Sequence, residues 1–281
     1  MIRLRAGDSS LALAPDNGGA ILGWTLGDIP LMQADARGKA CFPLVPYANR
    51  IAHGRFMWEG RAYQLARNFG DHPHSIHGIG WQRPWVVEVV SETQATLSLV
   101  HDGSGDGWPF AFAAEQRLTL SPDALRIDIS VTNRHNAVAP LGLGLHPFFP
   151  RPSGASLRFR AGAVWLNDPT SLPGRLVKIP PAWDHTHGLE VGAAALDHCF
   201  SGWDRVARLD LGAVALTIEA SPAFGHLQVY TPLGQAFFCV EPVTHRPDVL
   251  NDPSELRGIG VPAGESLAGA MTIRLSFPVP L

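Results

Sequence analysis

Lysine is nearly missing from this sequence. Of its 22 basic residues only Lys39 and Lys178 are lysines, and no glycine-rich phosphate loop accompanies either, so the chain is poorly equipped to hold a phosphate. Charge is sparse throughout: 17% of residues are charged, the formal net charge is -3, and the arginines are scattered rather than striped. A nucleic-acid surface needs a basic stripe, which excludes nucleic acid as a partner. Only three cysteines occur, Cys41, Cys199 and Cys239, with no C-x-x-C pair and each beside an apolar residue. They read as small buried hydrophobes in a reducing compartment. Long apolar runs are also missing, since no stretch approaches the roughly 18 residues a membrane span requires. Ser10–Ala14, which follows Arg3 and Arg5, is too short for a secretory core and is bounded by Asp8 and Pro15. A cytoplasmic protein with no membrane contact is expected.

Helical periodicity is nearly absent, and period two takes its place. Phe56–Tyr63 reads as a hairpin turning at Glu59-Gly60, and Leu118–Leu120 with Leu125–Ile129 as another around Ser121-Pro122-Asp123. Val206–Leu211 and Val214–Ile218 form a third, closed by Gly212-Ala213. Trp85–Val90, Ala95–Val100, Leu227–Tyr230, Phe237–Val240 and Met271–Phe277 add single strands. With 24 prolines and 29 glycines between them, these runs predict an all-β chain of short strands and tight loops. The hydrophobic fraction of 46% suffices for a sizeable core. Large β-sandwiches and barrels reach 281 residues as one unit, so residues 1–281 are expected to form a single domain. Pro150–Gly154 is the best candidate boundary, but strands of the same composition resume on both sides, and it reads as a loop. One small helix is expected near Asp252–Leu256, where Asp252 can cap and Pro253 can take the first helical position.

Three places carry residues suited to chemistry. Positions 46 to 56 read Pro-Tyr-Ala-Asn-Arg-Ile-Ala-His-Gly-Arg-Phe, and His77-Gly78 follows one hairpin later. Arg50 offers five donors in a rigid fork and His77 a donor and an acceptor, which suits sugar hydroxyls as well as anions. The plainer alternative is an arginine in a surface salt bridge beside a loop histidine. Leu141–Phe149 places His146 in an otherwise apolar strand whose two glycines allow close approach. Burial lowers an imidazole pKa and a nearby carboxylate raises it, so either protonation state can be set near neutrality. The alternative is a core histidine satisfied by the backbone. Glu241 ends the hydrophobic run Phe237–Val240 before Pro242; a carboxylate in partly apolar surroundings is a stronger base. Its alternative is an edge-strand ion pair with Arg246. An imidazole acid and a carboxylate base together suit a hemiacetal, where one protonates the ring oxygen while the other deprotonates the anomeric hydroxyl.

The ordered set Asn49–Phe56, His77-Gly78, Leu145–Phe149, Leu196–Phe200, Leu227–Thr231 and Phe238–Glu241 resembles the aldose 1-epimerases. The resemblance runs from about Leu11 to Phe277 and rests on the whole set rather than on any one motif. It implies a large antiparallel β-sandwich of the galactose mutarotase-like supersandwich type, no cofactor and no metal. It also implies interconversion of the α and β anomers of a free aldose through transient ring opening. Glu241 would then be the base and His146 the acid, with Arg50, His77, Asp197 and Gln228 holding the hydroxyls and Asn49 beside them. Two departures stand out. The acid histidine lies in Leu145-His146-Pro147-Phe148-Phe149 rather than the Asn-His-Ser/Thr-Tyr-Phe type of run, and the base strand continues Glu241-Pro242-Val243-Thr244-His245. Galactose specificity is therefore not implied, and the aldose is left open.

Three other readings compete. His72, His74 and His77 form H-x-H-x-x-H, a spacing able to hold a metal in a cupin-like barrel, although no glutamate follows closely. A non-catalytic sugar binder could stack Trp81, Phe148 or Trp203 on a pyranose. A hexose-phosphate epimerase would call on Arg83 and Arg246 for the phosphate. The expected partner is a small-molecule aldose, with the protein a monomer or homodimer.

Overall fold

Alternation of buried and solvent-facing residues decides this fold, and the computed structural model describes it for residues 1–105 and 107–277, apart from the side chain of Arg257. The three expected hairpins form: Arg55–Trp58 with Arg61–Gln64, Phe112–Ser121 with Ala124–Asn133, and Val206–Asp210 with Ala215–Ala220. At the first turn Glu59 and Gly60 both sit at positive φ, 48° and 76°. That two-residue geometry matches the right-handed twist of the flanking strands. Among the described residues the helices are 3-10 turns of three or four residues, and none is long and apolar enough to cross a membrane.

The strands build a nine-stranded and an eight-stranded antiparallel sheet, with a four-stranded sheet from Ile2–Ala6, Ser9–Ala14, Ala20–Leu26 and Ile29–Met32 at the N-terminus. One cluster of buried apolar side chains joins the two large sheets. Leu118, Ile127, Leu216 and Ile273 come from the nine-stranded sheet, and Phe200, Leu227, Val229, Phe238 and Val240 from the eight-stranded one. The architecture is an antiparallel β-sandwich. The Pro150–Gly154 segment carries the chain from Phe148–Pro150 in one layer to Ser156–Phe159 in the other, so it is a crossing between layers.

The small helix expected at Asp252–Leu256 is not there. 3-10 turns at Val249–Asn251 and Leu256–Ile259 flank the segment instead. Asp252 spends its carboxylate on Arg246 and on the Ser254 N–H and hydroxyl, while Glu255 takes a second Arg246 nitrogen. A tertiary ion pair thus claims the residue that was to cap the helix.

Three neighbouring strands of the eight-stranded sheet set up a second, polar face. Asp197–Ser201, His226–Tyr230 and Phe237–Val243 pair in the register Asp197↔Tyr230, Cys199↔Gln228, Gln228↔Glu241 and Tyr230↔Cys239. Cross-strand partners share a face and successive residues alternate. Asp197, Gln228, Tyr230, Cys239 and Glu241 therefore project to one side, while Phe200, Leu227, Val229, Phe238 and Val240 enter the core.

Candidate active site

On that polar face lies a cavity of about 310 Å³ lined by Asn49, Arg50, His77, His146, Asp197 and Glu241, together with Asp35, Arg37, His72 and a wall of Phe69, Phe148, Tyr230 and Phe237. A depression of about 370 Å³ on the solvent side of the nine-stranded sheet is lined by Glu115, Arg117, Asp128 and Ser130. Its charged side chains are about half exposed and pair with one another or with Arg126. The difference between the two lies in unpartnered atoms. Arg50 Nε, His146 Nδ1, Gln228 Oε1 and Glu241 Oε2 are buried without a hydrogen-bond partner at or just behind the first cavity, and such groups are costly unless a ligand or water completes them. None lies at the second.

Local backbone geometry explains how Arg50 and His77 reach the cavity. Asn49 and His77 both occupy left-handed backbone, at φ 56° and 63°, and they exchange two hydrogen bonds. The His77 N–H donates to the Asn49 carbonyl at 2.8 Å, and the Asn49 N–H donates to His77 Nδ1 at 3.2 Å. That second bond assigns the His77 proton to Nε2. Burial, followed by the His146 and Arg50 charges, holds His77 well below the usual histidine range, in keeping with a neutral ring. Gly78 is required next to it, because a Cβ there would lie 2.2 Å from the Val45 carbonyl oxygen. Arg50 is buried rather than on the surface; its Nη2 donates to Asp197 Oδ2 at 2.7 Å and its Nη1 to Asn49 Oδ1 at 3.1 Å.

His146 and Glu241 form the floor. The imidazole packs against both Phe42 and Phe148, each with its ring centroid at 4.6 Å and its plane tilted by 26° and 17° respectively, which restrains its orientation. Its Nε2 is 3.4 Å from Glu241 Oε1. Neither alternative reading of these residues holds: His146 Nδ1 has no backbone partner, and Arg246 pairs with Asp252 and Glu255 instead of Glu241. Burial, then the Arg37 charge, pushes His146 down to about 3. Burial, then Asp197, pushes Glu241 well above the usual carboxylate range, with Arg50 and Arg37 opposing. Both shifts disfavour charge on the pair: burial makes the imidazole give up its proton more readily and the carboxyl keep its own more tightly. The glycines of Leu141–Leu145 work as expected, since a Cβ on Gly142 would meet the His245 ring at 2.3 Å and one on Gly144 the Val243 side chain at 2.8 Å.

Gln228 departs from its expected role. It does not line the cavity; its Nε2 donates to Asp197 Oδ1 at 2.7 Å, so it braces the carboxylate that braces Arg50. The expected stacking faces change as well. Phe148 lines the cavity, but Trp81 is buried beneath Phe42 and Phe69, and Trp203 is buried with its indole N–H on the Val206 carbonyl. Arg83 and Arg246 do not reach the cavity. Asp35, Arg37, Phe69, Tyr230 and Phe237 were missed. Tyr230 and Phe237 were detectable in principle from their alternation with Gln228 and Cys239, whereas Asp35 and Arg37 sit in a loop with no motif.

The H-x-H-x-x-H trio is not gathered as a ligand set. Each Nδ1 accepts a backbone N–H, from His74 to His72, from His53 to His74 and from Asn49 to His77, and His74 Nε2 lies 3.0 Å from the Thr170 carbonyl. Among the described residues the group able to share a metal ion is His146, Cys239 and Glu241, with ligand atoms within 4.8 Å of one another.

The chain is thus an antiparallel sandwich with a buried histidine–carboxylate pair on the floor of a polar, aromatic-walled cavity. Residues 1–274 match the aldose 1-epimerase family, and the chain belongs to it. The uncharacterized protein YphB of Escherichia coli K12 is 30% identical over 277 residues, covering 93% of this chain and 94% of that one. A crystal structure of an Escherichia coli K12 protein provisionally described as an aldose 1-epimerase superposes with a TM-score of 0.89 at 28% identity, over 98% of each chain. A galactose mutarotase-like protein from Clostridium acetobutylicum shares the fold at 18% identity, with a TM-score of 0.87 over 98% of this chain and 95% of that one.

Proposed function

We propose that the protein is a cofactor-independent mutarotase that interconverts the α and β anomers of a free, uncharged aldose. The observation that carries this reading is the buried His146–Glu241 pair, 3.4 Å apart on the floor of a sugar-sized cavity. Glu241 removes the proton from the anomeric hydroxyl while His146 delivers one to the ring oxygen. The O1–H electrons become the second C1–O1 bond, and the electrons of the C1–O5 bond leave with O5. Rotation about C1–C2 presents the other face of the aldehyde, and the reverse transfers close the ring. Nothing is oxidised or reduced, and the pair ends with the proton count it began with.

The productive form carries its single proton on His146, whereas burial alone shifts the balance toward Glu241. These are tautomers of one pair. Sugar hydroxyls that donate to Glu241 restore the hydrogen bonds that burial removed, and Arg50 and Arg37 already favour the carboxylate. Arg50, His77 and Asp197 bind hydroxyls, with Asn49 and Gln228 holding them in place.

An uncharged sugar is favoured over a phosphorylated one because both cavity arginines are neutralised, Arg50 by Asp197 and Arg37 by Asp35. The test is an NMR or polarimetric anomerisation assay over a panel of free and phosphorylated aldoses. Acceleration of at least one free aldose, ranked above its phosphate, is the expected result; no acceleration of any sugar overturns the reading.

A further inference from the structure

One wall of the cavity comes from residues 33–39, between the strand Ile29–Met32 and Ala40. Asp35 organises this loop. Its Oδ1 accepts the backbone N–H groups of Arg37 and Lys39 at 2.9 and 3.2 Å, and its Oδ2 accepts Arg37 Nε at 2.6 Å. The carboxylate is 7% exposed and the Arg37 side chain 34% exposed, so the acid is sheltered while the guanidinium faces the cavity. Arg37 Cζ lies 5.1 Å from the Phe69 ring centroid, 5.6 Å from Trp81 and 5.7 Å from Phe42. Phe42 in turn stacks on His146. Arg37 is thus fixed beside the reacting pair on an aromatic shelf, with its charge cancelled by a tethered partner.

We propose that Asp35 is a specificity-determining residue that selects uncharged over anionic aldoses by masking Arg37. This rests on the mutarotase reading and names its substrate class. An aldose bearing a carboxylate or phosphate gains an uncovered cation only by displacing Asp35 from Arg37, yet Asp35 is held by three hydrogen bonds and is sheltered from water. With Asp35 in place, the anion reaches the remaining guanidinium nitrogens only beside the Asp35 and Asp197 carboxylates, with no net positive charge to hold it. A neutral sugar faces no such competition, because the guanidinium nitrogens not bonded to Asp35 have no protein partner among the described residues and still donate to hydroxyls.

Asp35→Asn keeps the acceptor for both backbone N–H groups and removes the charge. Anomerisation of a neutral hexose, its uronic acid and its 6-phosphate is measured for the wild-type protein, Asp35→Asn and Asp35→Asn/Arg37→Met. The anionic-to-neutral ratio of kcat/KM should rise about tenfold in Asp35→Asn, the effect of one uncovered charge in a partly solvated site. Adding Arg37→Met should return it to the wild-type value. Arg37→Gln alone leaves Asp35 bare and should lower the ratio by about as much. A folded Asp35→Asn protein with an unchanged ratio for both anions overturns the proposal, as does a gain that survives Arg37→Met. Should Asp35→Asn fail to fold, Arg37→Gln decides, and an unchanged or raised ratio overturns it. Should the wild-type protein anomerise no aldose, the mutarotase reading fails by itself. The same ratio taken from sugar dissociation constants by ligand-observed NMR then tests the masking separately.

Discussion

His245 with Arg246, and His146 with Arg50, are two buried clusters built from the same residue types. In the first, every nitrogen is occupied. His245 Nε2 accepts the Ala48 N–H at 3.2 Å and its Nδ1 lies 2.8 Å from the Arg246 carbonyl. Arg246 donates to Glu255, Asp252 and the Pro247 carbonyl and lies 4.3 Å over the Trp165 ring. In the second, Arg50 Nε and His146 Nδ1 have no partner. Yet burial pushes both imidazoles down alike, His245 to about 4 and His146 to about 3. A shifted pKa therefore accompanies both clusters and separates neither. What separates them is incompleteness: the first cluster is a finished piece of structure, and the second has polar atoms waiting for a ligand.

The largest effect that should distinguish them comes from Glu241. Glu241→Gln preserves shape and removes the base, so kcat should fall about 10²–10⁴-fold while sugar binding changes little. His146→Asn should fall similarly, and the double variant should cost far less than the product of the two, because the groups act on one proton inventory. A stopped-flow or NMR rate for Glu241→Gln near the wild-type value would break the comparison.

The two arginines should part company next. Arg50→Ala should lower kcat/KM by about 10–100-fold, the loss of charge-assisted hydrogen bonds to the sugar, with a smaller fall in the urea midpoint than Arg246→Met, because it strands one part-exposed carboxylate, Asp197, rather than two. Arg246→Met should do the reverse. It strands Asp252 and Glu255, but these are 29% and 37% exposed and water can take them over, so stability should drop by about 2 kcal/mol with kcat/KM nearly intact. Equal kinetic losses in both variants would show that the finished cluster is also catalytic.

The sequence exposes these two clusters unequally. Period two revealed the strands, and with them the apolar setting that makes His146 and Glu241 conspicuous. Arg50 and His77 stood out through their ordered motifs. Arg246 was seen only as a possible partner of Glu241 or of a phosphate, because its real partners are fixed by how residues 246–255 fold back on themselves. Asp35 and Arg37 were invisible, since a loop residue reaches a cavity through the path of the chain and not through any local pattern. Gln228 was found but misplaced: alternation put it on the right face, and only its side-chain hydrogen bond to Asp197 shows that it braces that carboxylate rather than lining the cavity.

The pH dependence should sharpen the comparison further. Turnover needs one proton on the pair. As pH falls toward about 3, the value to which His146 is held, a second proton arrives and no base remains. As pH rises through the elevated Glu241 value the last proton leaves and no acid remains. The kcat/KM profile should be a plateau wider than free carboxylate and imidazole values would allow, without the alkaline limb in Glu241→Gln. Stability behaves differently, because both His245 and His146 have folded values below their usual 6.5. Their contribution is complete above that pH and is lost as pH falls through it toward about 4 and then about 3. Urea midpoints at pH 7 and pH 4.5 should show the loss, and His245→Asn should reduce it without moving the kinetic limbs.

The smallest expected effect belongs to Gln228, which touches the second cluster only through Asp197. Its Nε2 holds Asp197 Oδ1 at 2.7 Å, while its own Oε1 is buried without a partner. Gln228→Met removes the brace and the orphaned acceptor together. The lost charge-assisted bond and the relieved burial cost are each of order 1–3 kcal/mol and oppose one another, so global stability should hardly move. Asp197 keeps its bond to Arg50 but loses one of two restraints on its orientation. KM should therefore rise by about two- to fivefold with kcat close to wild type, since a loosened binding group weakens ground and transition states alike. A fall in kcat/KM as large as that of Arg50→Ala would mean that Gln228 reaches the sugar itself.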